Sequence, residues 1–392
     1  MATIDTSVNR PHVPTDGTTV TAEIDVTPGE QTQDVRRHIA LCIDTSGSME
    51  GDNIKRARDG AAWVFGLLND DDYVSIVAFD TTAEVVLPAT RWADIDRQSA
   101  MDHVEELTAG GGTDMYNGLG AAKETLTSSA TGPDTVKRLL LLSDGKDNER
   151  TPEEFEDLAT DIDNAGIRIQ SAGIGTDYNE DTIRTLGTTA RGTWTHLEAP
   201  GDIEDFFGDA VEQAGSVVAP DAHLDLDVAP GVEVSEVYRA LPQAQEVTPE
   251  WEANATRIKL PDLIERENQR VVLKIHAPPR EDGTEEVLAD VMLSAKGDTA
   301  SEQVAVEYTA DNERLAEHNE SVDIDHKQTV IRTELGKGNV EAAETKVEQM
   351  TVIHGEDAEA VEEVERQTQI VKEGGRAEQS QATQIVDDDG LQ

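Results

Sequence analysis

RRHIALCIDTSGS, residues 36–48, decides the fold. Ile39–Ile43 is an unbroken apolar run, as a central strand covered on both faces requires, and the strand closes on Asp44. Gly47 then lets the backbone bend tightly between Ser46 and Ser48, so both hydroxyls can face one point. VKRLLLLSDG, residues 136–145, repeats the pattern of an apolar strand giving way to Asp144. Between them, AGGGTDMYNG (109–118) places Thr113 after three glycines that permit close approach. Asp44, Ser46, Ser48, Thr113 and Asp144 thus form a dispersed set of oxygen donors at the ends of strands or in Gly-rich turns.

Working outward, strand and helix alternate from Arg36 to about Ala214. Ile54, Ala57, Ala61, Val64 and Leu68 recur at helical spacing. Tyr73–Phe79 reads as a strand and Ala83–Leu87 as an edge strand. Residues 94–107, 116–128, 153–164, 179–186 and 203–211 read as helices, and Val136–Ser143, Ile167–Gly173 and 193–197 as strands. Pro152 fits the start of its helix, where a missing N–H costs nothing. Such repeated crossovers imply a doubly wound, mostly parallel α/β sheet, with ligands collecting beyond the carboxyl ends of the strands. Two carboxylates and three hydroxyls leave room for water. That favours Mg²⁺ with octahedral oxygen coordination, and Mn²⁺ also fits. No Cys/His cluster suits zinc. Asp114 reads as the cap of the next helix or as an outer partner of the ion; Asp147 and Asn148 read as solvated loop residues.

The chain has 392 residues with 81 acidic against 32 basic ones, a formal net charge of -49. Such repulsion destabilises a compact fold in dilute buffer and is screened by salt, so a protein adapted to high salt is expected. So acidic a surface excludes nucleic acid as a partner, since phosphate contacts need basic residues. The single cysteine, Cys42, lies in the first strand run and reads as a small buried hydrophobe. No run approaches ~20 apolar residues, so no membrane insertion is expected. MATIDTSVNRPH has neither a basic leader nor an apolar stretch, which makes cytoplasm the expected location.

DTSGS at 44–48, Thr113 in GGTD and Asp144 in LLLLSDG resemble the metal-ion-dependent adhesion site of von Willebrand factor type A domains. All five motif residues are present, and the resemblance covers residues 36–214. It implies an ion bound directly by Ser46, Ser48 and Thr113 and partly through water by Asp44 and Asp144. A protein partner's carboxylate would complete the shell. It also implies a domain that recruits proteins and seldom catalyses. The residues agree: no Cys or Lys in the motif stands beside a base, and His38 and His103 read as structural. No enzyme activity is expected. An acidic protein of this type is expected from a halophilic archaeon.

Residues 215–310 alternate apolar and polar side chains, the period-two signature of antiparallel strands with one buried face. A β-sandwich follows, similar to modules that accompany type A domains. Gly17–Val26 alternates likewise, with Val20, Ala22, Ile24 and Val26 on one side, so residues 17–35 are expected to give a strand to the sandwich, with the α/β domain inserted into it. Residues 1–16 read as a flexible N-terminus. Trp251 reads as a core anchor before a contact residue. Residues 311–366 read as helical, in segments 312–335, 340–350 and 356–366. Val330, Leu335, Val340, Val347 and Met350 would seal a hairpin, pack on the sandwich or serve a partner-binding pair.

Residues 367–392 read as a disordered tail holding an echo, TQIV at 368–371 and again at 383–386. Thr368 and Thr383 each precede a Val by three positions. That resembles the phosphothreonine ligand of forkhead-associated domains, implying a Ser/Thr kinase and such a domain as partners. The function expected is a divalent-metal-dependent protein-interaction module or scaffold, regulated through the tail. The alternative is an accessory subunit coupling a MoxR-like or chelatase-type AAA ATPase to its client. A surface adhesin ranks behind both.

Overall fold

The computed structural model describes residues 1–31, 35–128, 135–147, 150–175, 178–199, 201–355 and 358–374, with Glu378 and Ala382. The chain divides into two compact units: Gln31–Pro220, and a second built from Met1–Glu30 together with Asp221–Gln392.

The first unit is an α/β sheet. Its strands are β1 (Arg37–Asp44), β2 (Tyr73–Phe79), β3 (Ala83–Arg91), β4 (Val136–Ser143), β5 (Ile167–Ile174) and β6 (Thr193–Leu197). They lie in the order β3-β2-β1-β4-β5-β6, all parallel except β3, which runs antiparallel at the edge. Every residue of β1 is buried, as its unbroken apolar run requires. The helices are α1 (Asp52–Leu67), α2 (Arg97–Glu105), α3 (Met115–Ser128), α4 (Pro152–Asn164), α5 (Glu180–Thr189) and α6 (Asp202–Gly215). Helix α1 buries Ile54, Ala57, Gly60, Ala61, Val64 and Phe65. Helix α4 opens on a capping box, Thr151 and Glu154 bonding each other's backbone, with Pro152 at its first position. Leu119, Ala122 and Leu126 of α3 pack with Phe155, Ile162 and Leu139 in a shared core.

The start of β1 is pinned by a buried ion pair. Arg37 donates from its backbone N to Asp72 Oδ1 at 2.8 Å and from Nε to Oδ2 at 2.9 Å. Its remaining donors reach the carbonyls of Leu67 (2.8 Å) and Val211 (3.1 Å). His38, next along, is fully buried, and burial pushes its imidazole down to about 4, so it stays neutral. Cys42 is buried and its thiol pushed up by burial, which leaves it inert.

The second unit contains two sheets. One is antiparallel, in the order Thr3–Val8, Thr18–Thr27, Gln269–Ala277, Glu233–Leu241 and Gln245–Glu246. Val20 stands opposite Ile275, Ala22 opposite Leu273 and Ile24 opposite Val271, all buried. The other runs Trp251–Glu252, Ala255–Lys259, His223–Val228, Glu285–Ala295, Asp298–Thr309 and His12–Pro14, the last pair parallel. Residues 1–16 are therefore not a loose end. Strands 3–8 and 12–14 each join a sheet, and Thr6 Oγ1 donates to Gln303 O at 2.9 Å. Trp251 is not a core anchor: it sits on an edge strand and is exposed.

Three helices follow a single turn at 312–315: α7 (Glu320–Gly336), α8 (Val340–His354) and α9 (Glu359–Glu373). Helix α7 lies on the outer face of the five-stranded sheet, over strands 18–27, 233–241 and 269–277. Its other side supplies Ile331 and Leu335 to a cluster with Ala343, Val347, Met350, Val361, Val364 and Val371. Helix α9 continues past Arg366, where the sequence suggested a disordered tail. Thr368 is buried on it, its hydroxyl donating to Val364 O at 2.7 Å. Thr383 lies outside the described residues.

Candidate metal centre

The sheet reverses its winding between β1 and β4, and the crevice beyond that switch point is where α/β folds hold ligands. Asp44 closes β1, and Asp144 follows β4 beside it. Three loops are laced together here by the backbone. Thr45 N donates to Phe79 O at 2.7 Å, Gly110 N to Thr45 O at 2.8 Å, Gly47 N to Gly111 O at 3.2 Å and Asp114 N to Asp80 O at 2.6 Å. Gly111 has a φ of +78°, and a Cβ there would lie 2.9 Å from Thr81 Oγ1. Only glycine serves at that position.

A chain of hydrogen bonds joins four of the five sequence-predicted donors. Ser46 N donates to Asp44 Oδ1 at 2.8 Å, the Ser46 and Ser48 hydroxyls lie 3.0 Å apart, and Ser48 Oγ donates to Asp144 Oδ1 at 2.6 Å. Thr113 joins them at Gly145. A Cβ on that glycine would be 2.7 Å from Thr113 Oγ1 and 3.4 Å from Asp44 Oδ2, so those oxygens flank one small space. Asp44 is fully buried, and burial is the main force raising its carboxyl to about 6. Bonds from Ser143 and Ser46 oppose the rise, and the charge of Asp144 adds to it. The two carboxylates and three hydroxyls that this hydrogen-bonded chain and the Gly145 contact link are all hard oxygen donors, the class of group that a small divalent cation takes.

Sequence reasoning missed two participants. Ser143 Oγ donates to Asp44 Oδ2 at 2.5 Å and accepts from Gly145 N at 3.2 Å. Asn53 Nδ2, on α1, donates to Asp144 Oδ2 at 2.9 Å. Ser143 was discoverable as the polar end of the LLLLS run; nothing in the sequence flags Asn53. Asp114 is a cap, accepting from Asn117 N at 3.1 Å and Asn117 Nδ2 at 2.6 Å. Asp147 is not a solvated loop residue. It is buried and accepts from Tyr116 N at 3.3 Å, fixing the start of α3. Asn148 lies outside the described residues.

Residues 38–209 match the von Willebrand factor type A domain family. A von Willebrand factor type A protein from Catenulispora acidiphila shares the fold, with a TM-score of 0.77 and 20% identity over 94% of this chain and 89% of that one. The ArnB paralog VWA2 from Sulfolobus acidocaldarius also shares it, with a TM-score of 0.66 and 18% identity over 97% of each chain. An uncharacterized protein of Synechocystis sp. is 25% identical over 243 residues, 61% of this chain and 57% of its own length. Inter-alpha-trypsin inhibitor heavy chain H2 of Mus musculus is 27% identical over 173 residues, 42% of this chain and 18% of its own length. The chain spans less than two thirds of the length of these curated relatives. The matched stretch opens within β1 and closes within α6, enclosing the α/β unit and its crevice: residues 38–209 have the von Willebrand factor type A fold.

Proposed function

We propose that this domain is a Mg²⁺-dependent protein-binding module. Ser46, Ser48 and Thr113 hold the ion directly, with Asp44 and Asp144 acting partly through water, and a carboxylate from a protein partner completes the shell. Mn²⁺ can substitute. The ion supplies a positive centre in a strongly acidic surface, which is what lets the domain capture an acidic group. The observation that carries this reading is the hydrogen-bonded chain from Asp44 through Ser46 and Ser48 to Asp144, closed by Thr113 at Gly145. Among the described residues, Cys42 is buried and His38 is held neutral inside the sheet, so neither offers a nucleophile or base. The role is recruitment, not catalysis.

Among the described residues no helix is long and apolar enough to cross a membrane. The excess of acidic residues supports work in concentrated salt, and a place in the cytoplasm remains part of the proposal. Of the two TQIV threonines, Thr383 is the one proposed for phosphorylation, because Thr368 is buried in α9.

Isothermal titration with MgCl₂ and MnCl₂, followed by affinity capture with and without EDTA, tests the proposal. One ion per chain, lost in Asp44→Ala, with capture abolished by EDTA, is expected. Wild-type protein that binds neither ion, or capture indifferent to EDTA and to Asp44→Ala, overturns it.

A further inference from the structure

Three carboxylates meet a single arginine where α7 rests on the five-stranded sheet. Arg270 donates to both oxygens of Asp25, from Nε at 2.7 Å and from Nη2 at 3.2 Å, and from Nη1 to Asp325 Oδ2 at 2.5 Å. Its contact with Glu23 is the longest, Nε to Oε1 at 3.3 Å. The Glu23 side chain is 8% exposed, and its other oxygen, Oε2, is buried with no hydrogen-bond partner among the described residues. An ionised carboxylate with one buried oxygen left without a donor is costly there, and three full negative charges against one positive one repel as well. A proton on Glu23 removes both penalties and turns an acceptor into a donor beside Asp325, the other carboxylate that shares Arg270.

We propose that Glu23 is a buried proton-binding site, and that the proton it shares with Asp325 seats helix α7 on the sheet. The energetics run the same way. Burial pushes the Glu23 carboxyl up to about 8; Arg270 opposes the rise, and Asp25 and Asp325 reinforce it. The remaining groups around the seam come from every packed element. Strand 3–8 sets Asp5 opposite Asp25. Strand 269–277 sets Lys274 opposite Thr21, and Lys274 pairs with Glu236 of strand 233–241 at 3.5 Å. From that same strand, burial and the charges of Glu246, Glu236 and Glu334 push the Tyr238 phenol up to about 12. Helix α7 brings Asp323, which accepts from Thr21 Oγ1 and Asn9 Nδ2 at 2.9 Å each and lies 3.0 Å from His318 Nε2. It also brings His326, 2.9 Å from Glu236 and pushed down by burial, and Lys327, likewise pushed down by burial. None of these donates to Glu23 Oε2. The site uses no residue of the ion centre.

The direction of the pH effect follows from linkage. With α7 lifted, Glu23 faces water and has an ordinary carboxylate affinity; with α7 seated, it binds the proton more tightly. The seat is fully stabilised below the ordinary carboxylate range. It weakens as pH rises and has lost this contribution once pH passes about 8. Because α7 also anchors the cluster with α8 and α9, all three helices loosen together.

Hydrogen exchange read by mass spectrometry on the full chain tests this, with protection corrected for intrinsic exchange between pH 6.5 and 9.5. Wild-type protection over 320–336 is expected to fall by about tenfold or more relative to β1 and β4. Glu23→Gln, a permanent neutral donor of the same shape, should hold that protection level across the range. An equal pH dependence in both proteins, or none in the wild type, overturns the proposal. Should Glu23→Gln fail to fold, the wild-type infrared spectrum decides. A protonated-carboxyl band at pH 7 that titrates near 8 supports the site, and no such band at pH 7 overturns it.

Discussion

Ser143 donates to Asp44 Oδ2 at 2.5 Å, so the last residue of β4 fixes the carboxylate that closes its neighbour β1. Asn53 does the same for Asp144 from α1, at 2.9 Å. Neither side chain is among the five donors, yet each sets the direction in which a donor presents its oxygens. Partners of this kind govern metal affinity through orientation, at roughly 10–100-fold per substitution. Ser143→Ala and Asn53→Ala should each weaken Mn²⁺ binding by about that factor, measured by titration calorimetry. Wild-type affinity in both variants would show that the carboxylates need no such support.

Gly145 carries a sharper expectation. Its φ is ordinary, so alanine brings no backbone strain; what it brings is a methyl group 2.7 Å from Thr113 Oγ1 and 3.2 Å from Thr113 Cγ2. Thr113 must move. Gly145→Ala should therefore lower ion affinity by about tenfold or more while costing roughly 1–3 kcal/mol of stability, the usual range for overpacking. Calorimetric titration beside a thermal melt separates the two effects. Unchanged binding would place Thr113 outside the ion's reach.

The opposite end of β1 is a matter of stability alone. Asp72, with a side chain 1% exposed, accepts from Arg37 and from Asn69 N at 2.7 Å. Asp72→Ala would leave the Arg37 guanidinium buried without its anion, a loss of about 3–5 kcal/mol. Denaturant unfolding should show that loss in the α/β unit. Ion affinity should survive, because Arg37 and Asp44 lie at opposite ends of one strand. A loss under 1 kcal/mol would mean the pair is not needed to hold β1.

How far the sequence carried the fold depended on what each segment had to bury. Strands β1 and β4 were legible because both faces are covered, leaving apolar runs that stop where the chain meets water at Asp44 and Asp144. The five candidate side chains stand out in the sequence because they follow those runs or a triple glycine. Asn53 was not, since it reaches Asp144 only through folding, 91 positions away. Strands 3–8 and 12–14 are short, polar and paired at sheet edges, so little periodicity betrays them. In α9 the informative pattern was Val361, Val364, Thr368 and Val371, all buried and spaced by three or four. The first TQIV supplies two positions of that stripe, Thr368 and Val371.

The same burial limits what a kinase can reach. Thr368 Oγ1 is inside the helix cluster and bonded to Val364 O, so its modification requires α9 to unfold locally. Phosphopeptide mapping of protein from its native cells should find Thr368 unmodified, with any TQIV phosphate on Thr383. Thr368→Glu, which forces a charge into that position, should destabilise the three-helix cluster by about 3 kcal/mol or more. Stoichiometric phosphate on Thr368 in folded protein would contradict the packing of α9.

The acidic surface makes a final, global prediction. With a net charge of -49, repulsion between carboxylates opposes compactness. Many of the ion pairs that counter it lie partly in solvent, such as Arg257 with Asp225 and Lys337 with Glu246. Exposed pairs contribute little and are themselves screened by salt. Net repulsion must therefore dominate the salt response, and it is removed as the Debye length falls from about 10 Å at 0.1 M to about 3 Å at 1 M. Melting temperature should rise by about 10 °C or more from 0.1 M to 2 M KCl, most of it below 1 M, where Debye screening acts. A rise that continues linearly beyond 1 M would instead indicate strengthened apolar burial through excluded salt. A flat or falling profile would show that the charge is already balanced locally, and that adaptation to concentrated salt is the wrong account of this composition.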